Sequence, residues 1–470
     1  MDEIQTNTDI KIAQRTTLFI SMFASFVFPF TANSLNIAIP FIGEEFQVPA
    51  TSLTWVMSAM MLANISINVP IGRFADLWNK RKVFSLGILI FSVAAMLGAF
   101  APNYWTLIVF RVFQGIGGAM FISTNFAILM DVFPANQRGR VLGLSVMCTY
   151  LGLSVGPLVG GFFIRYFSWN AIFITTSLLA LIVFGVAIIS MSKLPKKTAI
   201  QPKSISISPA SNILYILAML VFMYGFTVFG QHIYSYFFLA TGVILLVIFA
   251  HHELKTKYPV IDMRLFRGNL NFIFSNLSAL LNYAAVGALS YLLTIFLVVV
   301  KGFQPDIAGL ILIIQPALMA VVSPIIGRLS DKHSPFIISS IGMAICALSM
   351  LLFLFLSEDS SLVFVVVILL IIGLGVGIFS TPNTNAILSS VSPKESAVAN
   401  SILSTMRLVG QLSSMAIITI IMHFTIGNAL ISEAGTKGIM STLHTSFIIF
   451  GLLCVSGVLL SLRRKQKPVK

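Results

Sequence analysis

Arg111 lies in RVFQGIGGAMF and Arg407 in STMRLVGQLSS, each inside an apolar stretch long enough to cross a bilayer. A guanidinium placed there costs several kcal/mol unless it faces water or a polar partner. Amides recur in comparable stretches: Asn33, Asn36, Asn64, Asn68, Gln114, Gln315, Asn383, Asn385 and Gln411. As a group they can line a cavity that takes up a small solute. Singly, such an Asn is more often glue between helices. Each arginine admits two readings, capping of carbonyls and polar neighbours, or a place in the cavity or its gating. Neither can carry a proton, because a guanidinium stays charged at any cellular pH.

Covalent chemistry is not indicated. There is no Gly-Lys-Ser/Thr phosphate loop, and HHELKT lacks the second His that a metalloprotease helix needs four positions after His252. The runs GIGGA at Gly115 and GLGVG at Gly373 fall within apolar stretches, where close helix packing accounts for them better than a dinucleotide loop. Cys148, Cys346 and Cys454 also lie in apolar runs and read as small core residues rather than a disulfide framework or metal ligands. The expectation is no enzyme, no cofactor and no metal site.

The elements that must position these groups follow from composition. The chain has 470 residues, 57% hydrophobic and 9% charged, whereas a soluble domain carries about 25% charged residues. Most of its surface must therefore face lipid. Fourteen apolar stretches of spanning length run over 17–40, 53–72, 83–101, 105–130, 141–164, 171–191, 213–230, 236–250, 272–300, 307–327, 337–356, 362–386, 398–423 and 443–462, numbered helices 1–14 below. The eighth is the shortest. A backbone in lipid must satisfy its hydrogen bonds internally, so the expected fold is an all-α membrane protein.

The net charge of +14 could suggest nucleic acid, but its distribution argues otherwise. With a cytoplasmic N-terminus, only Arg165, Lys301 and Lys437 fall outside and Arg111 and Arg407 fall within spans, leaving 24 of the 29 Lys and Arg on the cytoplasmic side. That is the positive-inside pattern of a protein in the cell membrane with both termini cytoplasmic. No loop shows a basic stripe with interleaved aromatics, so no nucleic-acid partner is expected. The polar start, MDEIQTNTDIKIAQR, and the long apolar run after it do not read as a cleaved signal peptide.

PIGRFADLWNKRK at Pro70 is echoed by PIIGRLSDKHSP at Pro324, with Gly72, Arg73 and Asp76 matched by Gly327, Arg328 and Asp331 at an offset of 255 residues. At about 33 residues per span that offset holds roughly eight spans, not six. The implied organisation is a six-helix bundle over 1–192, a polar linker over 193–210, two extra helices over 211–252, a connecting segment over 253–270 and a second six-helix bundle over 271–470.

Two six-helix halves, each with a Gly-x-x-x-Asp loop after its second helix, resemble the major facilitator superfamily. Its loop consensus, Gly-x-Leu-x-Asp-Arg-x-Gly-Arg-Lys, is kept at Gly72, Asp76, Arg81 and Lys82, while Asn79 stands where Gly is common. Arg111, Gln114, Gly115 and Gly117 resemble the fourth-helix motif. Gly152, Gly156, Pro157, Gly160 and Gly161 resemble the fifth-helix antiporter motif. ELKTKYPVIDMRLFRGNLNF, from Glu253, resembles the loop after the central pair in fourteen-helix drug:proton antiporters. The resemblance implies that Gly72, Arg73, Asp76, Arg81, Lys82, Gly327 and Asp331 form a cytoplasmic gate, with charge pairs between the halves that break as the protein turns inward. The cations also serve simply as topological anchors. Gly152, Gly156 and Gly160, four residues apart, make a flat helix face, and Pro157 allows a bend beside it. Ordinary packing explains that face, and the resemblance adds a hinge and seal.

One departure matters. Helix 1 of these antiporters commonly reads Leu-Asp-x-Thr-Ile-Val-Asn-Val-Ala-Leu-Pro, and FTANSLNIAIP puts Thr31 at the Asp position while keeping Asn36, Ala38 and Pro40. None of the fifteen carboxylates lies deep in a span; Asp76 and Asp131 sit at cytoplasmic helix ends. The expected function is alternating-access export of small amphipathic compounds by a monomer, with proton coupling through Asp131 or Asp76 or through the substrate itself. The alternatives are a facilitator or importer of a small anionic metabolite, and a non-transporting receptor or scaffold.

Overall fold

A computed structural model describes residues 2–133, 135–191, 208–229, 233–256, 259–261, 263–391, 396–427, 429–431 and 433–463. Fourteen of its helices are long and apolar enough to cross a membrane. They are helix 1 Gln14–Phe46, helix 2 Ala50–Ala75, helix 3 Lys80–Ala99, helix 4 Tyr104–Leu129, helix 5 Leu144–Tyr166, helix 6 Asn170–Ile189, helix 7 Pro209–Thr227, helix 8 Tyr234–Lys255, helix 9 Leu270–Val300, helix 10 Pro305–Ser330, helix 11 Pro335–Phe353, helix 12 Leu362–Ser389, helix 13 Val398–Thr425 and helix 14 Gly435–Leu462. Most of the linker expected over 193–210 lies outside the described residues.

The number of spans agrees with the sequence, but several ends do not. Helix 1 continues past Pro40, and helix 8, expected to be shortest, runs to Lys255. Apolarity marks how deep a segment sits in hydrocarbon. Backbone hydrogen bonding continues past that depth until a cap or breaker ends it. Asn79 is such a cap: its backbone is extended, and its side-chain Oδ1 accepts from the Arg81 and Lys82 amides at 3.0 and 3.2 Å and starts helix 3. A glycine there would lack that acceptor. Two spans are locally irregular. Helix 9 is interrupted at Gly287–Ala288, where the Ala288 amide bonds to Ser414 Oγ at 3.0 Å. Helix 10 breaks at Ile313, just before Pro316 removes a backbone donor.

The internal repeat is visible in the packing. Helix 1 packs on 5, helix 2 on 4, and helix 3 on 4 and 6; in the second half helix 9 packs on 13, 10 on 12, and 11 on 12 and 14. Helices 3 and 4 meet at Gly87 and Gly117, where a Cβ on either would fall within 3 Å of the other's carbonyl. Gly342 and Gly375 make the matching contact for helices 11 and 12, where added Cβ atoms would lie 2.8 and 3.2 Å from the other's carbonyl, and Gly342 lies 255 residues after Gly87. Helices 7 and 8 pair with each other, and helix 7 docks on helices 2 and 13. The protein is thus two six-helix bundles with a central pair.

Its two ends differ in charge. The ends of helices 2 and 10 and the start of helix 3 carry Arg73, Lys80, Arg81, Lys82, Arg328 and Lys332, and this is called the basic end. Arg165, Lys301 and Lys437 lie at the far end. The largest apolar core runs unbroken across the two halves there, taking Leu35, Ile39 and Ile42 of helix 1 together with Leu289, Leu293 and Phe296 of helix 9.

Candidate cavity and seals

Helix 5 offers two faces, and each meets a different helix. Gly152, Gly156 and Gly160 lie against helix 1, where added Cβ atoms would run into the Phe26, Phe30 and Ser34 carbonyls. Gly161 and Pro157 face across the seam to helix 10. A Cβ on Gly161 would strike the Pro305 carbonyl, and one on Gly309 would strike the Pro157 carbonyl. At the same end Arg165 pairs with Asp306, Thr419 donates to Thr54 Oγ1 at 2.7 Å, and the Ala50 amide bonds to the Ala429 carbonyl at 3.1 Å. Among the described residues Arg165–Asp306 is the ion pair that crosses the seam. The far end is therefore closed by backbone-to-backbone approach, apolar packing and one charge pair.

At mid-depth the seam is polar and aromatic. Tyr150 of helix 5 donates to Ser380 Oγ at 3.3 Å, and the Tyr283 hydroxyl shares that oxygen at 3.4 Å. Arg407 Nη2 donates to Thr384 Oγ1 at 2.7 Å, and its guanidinium carbon lies 5.5 Å from the centre of the Tyr283 ring. That distance suits a cation–π contact. Arg407 Nε is buried without a hydrogen-bond partner among the described residues, yet the residue as a whole is only partly buried, two to three turns into helix 13 from Val398. Tyr150, Tyr283, Ser380 and Thr384 did not emerge from the sequence. Tyrosine counts as apolar in a hydropathy window, and its hydroxyl matters only once a partner helix is in place.

Arg111 is placed differently. It is fully buried between helices 2 and 4, with Nε on the Val56 carbonyl at 2.7 Å and Nη1 on Gln114 Oε1 at 2.9 Å. Its Nη2, Gln114 Nε2 and Asn64 Nδ2 lack partners among the described residues. The geometry supports a clamp within the first bundle, beside the turn whose Thr54 crosses the seam.

Several amides have local duties. Pro157 has no N–H, which frees the carbonyl of Leu153, and Asn33 Nδ2 donates to that oxygen at 2.9 Å. Asn36 leans on Asn33 Oδ1 at 3.3 Å. Pro29 frees the Ser25 carbonyl in the same way, and Thr149 donates to it at 3.3 Å. Asn383 bonds the Ser275 carbonyl at 3.1 Å, Asn385 bonds Ser330 Oγ at 2.7 Å, and Asn68 reaches Asn64 Oδ1 at 3.3 Å. Gln315 is buried, with its backbone beside Gly373, and Gln411 lies on helix 13 against Gly287. Thr31, at the family's acidic position, is buried and donates to the Val27 carbonyl at 2.8 Å and to Thr176 Oγ1 at 3.2 Å. Asn33→Ala should strand the Leu153 carbonyl at a cost of about 1–3 kcal/mol. A fall in the melting temperature of the purified protein, with Asn36→Ala smaller, is the expected result; an unchanged melting temperature would remove this role.

At the basic end Asp131 is 52% exposed and pairs with Lys80 at 3.1 Å. Arg73 Nη2 donates to the Pro259 carbonyl at 2.9 Å, joining the loop after helix 2 to the segment after helix 8. Gly72 and Gly327 occupy matching places, facing Ser123 and Thr381. The side chains of Asp76 and Asp331 lie outside the described residues. Cys148, Cys346 and Cys454 are buried and unpaired.

The chain resembles known proteins along nearly its whole length. It is 27% identical over 390 residues to the riboflavin transporter RibZ of Clostridioides difficile, covering 83% of this chain and 84% of that protein. It is 24% identical over 374 residues to the multidrug efflux pump LfrA of Mycolicibacterium smegmatis, covering 79% and 73%. Its fold matches the crystal structure of a bacterial homolog of the human lysosomal transporter Spinster in an inward-facing, unoccupied conformation, with a TM-score of 0.68 over 97% of this chain and 99% of that one at 16% identity. The family model of the Major Facilitator Superfamily matches residues 21–415 and 275–470. With the repeated half-bundles, the loop after helix 2 and the glycine face of helix 5 already in place, the chain belongs to the major facilitator superfamily.

Proposed function

We propose that this transporter exports small amphipathic compounds across the cell membrane by alternating access. The observation that carries the reading is the seam itself. A far end closed by Gly161, Gly309 and Arg165–Asp306 stands above a mid-depth cluster, Tyr150, Tyr283, Ser380, Thr384 and Arg407, contributed by both halves. A solute bound there touches both bundles, so its binding free energy differs between the two states of the seam, as alternating access requires.

The positive-inside rule makes the basic end cytoplasmic, with both termini on that side. On this reading the loop after helix 2, with Asp76, Arg81 and Lys82, and its repeat at Gly327 and Asp331 close the cytoplasmic side when the far end opens. Arg407 gives the cavity a positive fixed charge with no membrane carboxylate to offset it. Neutral or anionic amphiphiles suit such a site, and the Tyr150 and Tyr283 rings suit planar ones. Among the relatives one is named a multidrug efflux pump, which supports export of several compounds, and another a riboflavin transporter. The second reading, carriage of a small anionic metabolite, rests on Arg407 as its attracting group. Proton coupling on either reading runs through the basic-end carboxylates Asp76 and Asp131 or with the substrate.

A compound panel against cells expressing and lacking the protein tests this. Expression should raise tolerance to neutral and anionic amphiphiles and leave tolerance to permanent dications unchanged, because a dication beside Arg407 finds no counter-charge for its desolvation. Selective tolerance to dications would overturn the reading.

A further inference from the structure

A cavity lies away from the seam. It measures about 290 Å³ and sits between the central pair and the second bundle, walled by helix 7 (Met219, Phe222), helix 8 (Leu246, Phe249), the segment after it (Ile261, Met263, Phe266) and helices 9 and 13 (Leu280, Ile402, Met406, Val409). Its one polar lining residue, Thr405, spends its hydroxyl on the Ser401 carbonyl at 3.1 Å. An apolar cavity of roughly 150 Å³ stays dry and takes up apolar guests. This one is larger but as apolar, and with the Thr405 hydroxyl already engaged its lining offers water few hydrogen-bond partners.

Its surroundings indicate what does. Val243, Ile244, Val247 and Ile248 of helix 8 are exposed, so a single helix layer separates the cavity from the bilayer. The cavity runs from mid-helix at Val409 and Leu280 down to the short 3₁₀ turn Met263–Phe266 at the basic end, which is the path of an acyl chain in that leaflet. Beside the cavity, the described residues of 253–267 carry Lys255, Arg264 and Arg267 against Glu253. Glu253 is buried, with Oε2 accepting from the Ile261 amide at 2.9 Å, so it is turned away from an exposed headgroup. Arg264 and Arg267 are exposed and flank the lining residues Met263 and Phe266. Basic pockets between membrane helices are suited to anionic lipid headgroups.

We infer that this cavity is a lipid site, holding one acyl chain of an anionic phospholipid whose phosphate headgroup lies on Arg264 and Arg267. The inference is independent of what the seam transports. The lipid wedges the central pair against helix 13, the helix that carries Arg407.

The test is native mass spectrometry of the full-length protein purified in detergent and supplied with phosphatidylglycerol or phosphatidylcholine. The unmodified protein should retain one phosphatidylglycerol with a preference of roughly tenfold or more over phosphatidylcholine, from two cations at the headgroup. Arg264→Gln with Arg267→Gln, both at exposed positions, should abolish the headgroup preference, and Val409→Trp, which fills the cavity, should abolish retention. Equal retention of the two lipids by the unmodified protein, or a preference that survives the double substitution, overturns the site. So does undiminished retention in Val409→Trp.

Discussion

Gly161→Val should leave the protein inserted in the membrane but lower its transport by at least tenfold, roughly the middle of the range that 1–3 kcal/mol of conformational bias produces. The Gly161 Cα sits so close to helix 10 that any Cβ would meet the Pro305 carbonyl and the Asp306 backbone. No side-chain rotation relieves a clash with backbone, so helices 5 and 10 must separate. Overpacking of this kind costs about 1–3 kcal/mol when it cannot be absorbed. Here it can be avoided by opening the far end, so the cost falls on the closed state alone. Gly309→Val should act alike, since its Cβ would meet the Pro157 carbonyl from the opposite helix. A cysteine introduced at Thr54, in contact with Thr419 in the closed state, reports the change. Its labelling by a membrane-impermeant maleimide should rise in Gly161→Val, and the three buried native cysteines give little background. Unchanged labelling with normal transport would mean that the two helices do not form the seal.

The two membrane arginines should fail in different ways. Arg407→Gln should preserve expression and melting temperature yet lose most transport. It removes the partly buried cation over Tyr283 and the bond to Thr384, both beside the seam. Arg407→Lys should not restore it, because a compact ammonium cannot stack on the ring while reaching Thr384 as a planar guanidinium does. Arg111→Gln should instead reduce the amount of folded protein. Arg111 is fully buried, and its loss removes a second donor from the Val56 carbonyl and strands Gln114 Oε1, at about 1–3 kcal/mol for the stranded group. Melting temperature and transport per folded molecule, measured for both variants, separate the roles. Normal stability in Arg111→Gln with lost transport would return that residue to the cavity.

Much of the architecture was legible because the bilayer imposes it. Twenty-odd apolar residues between cations admit one structure, and the echo of PIGRFADLWNKRK at Pro324 fixed two similar halves flanking a central pair. The glycine spacing of helix 5 pointed to close approach by another helix, although not to the fact that Gly161 and Pro157 cross the seam while Gly152, Gly156 and Gly160 stay within the first bundle. The site was less legible, for a physical reason. Whether an Asn faces a cavity or a stranded carbonyl depends on where a proline sits on a different helix, as with Asn33 and Pro157. Arg111 and Arg407 look equivalent in sequence, and only the packing of helix 2 against helix 4 buries the first. Tyr150 and Tyr283, 133 residues apart, become a pair only through Ser380.

The central claim is that a cavity of positive fixed charge, lacking a membrane carboxylate, selects the solute. Uptake by the purified protein in proteoliposomes, under an imposed pH gradient, tests it most directly when a neutral amphiphile and a permanent dication are compared in the parent, Arg407→Gln and Asp131→Asn proteins. Uptake of the neutral compound should fall with Arg407→Gln, and uptake of the dication should be negligible. Strong gradient-driven dication transport that survives Asp131→Asn would contradict it.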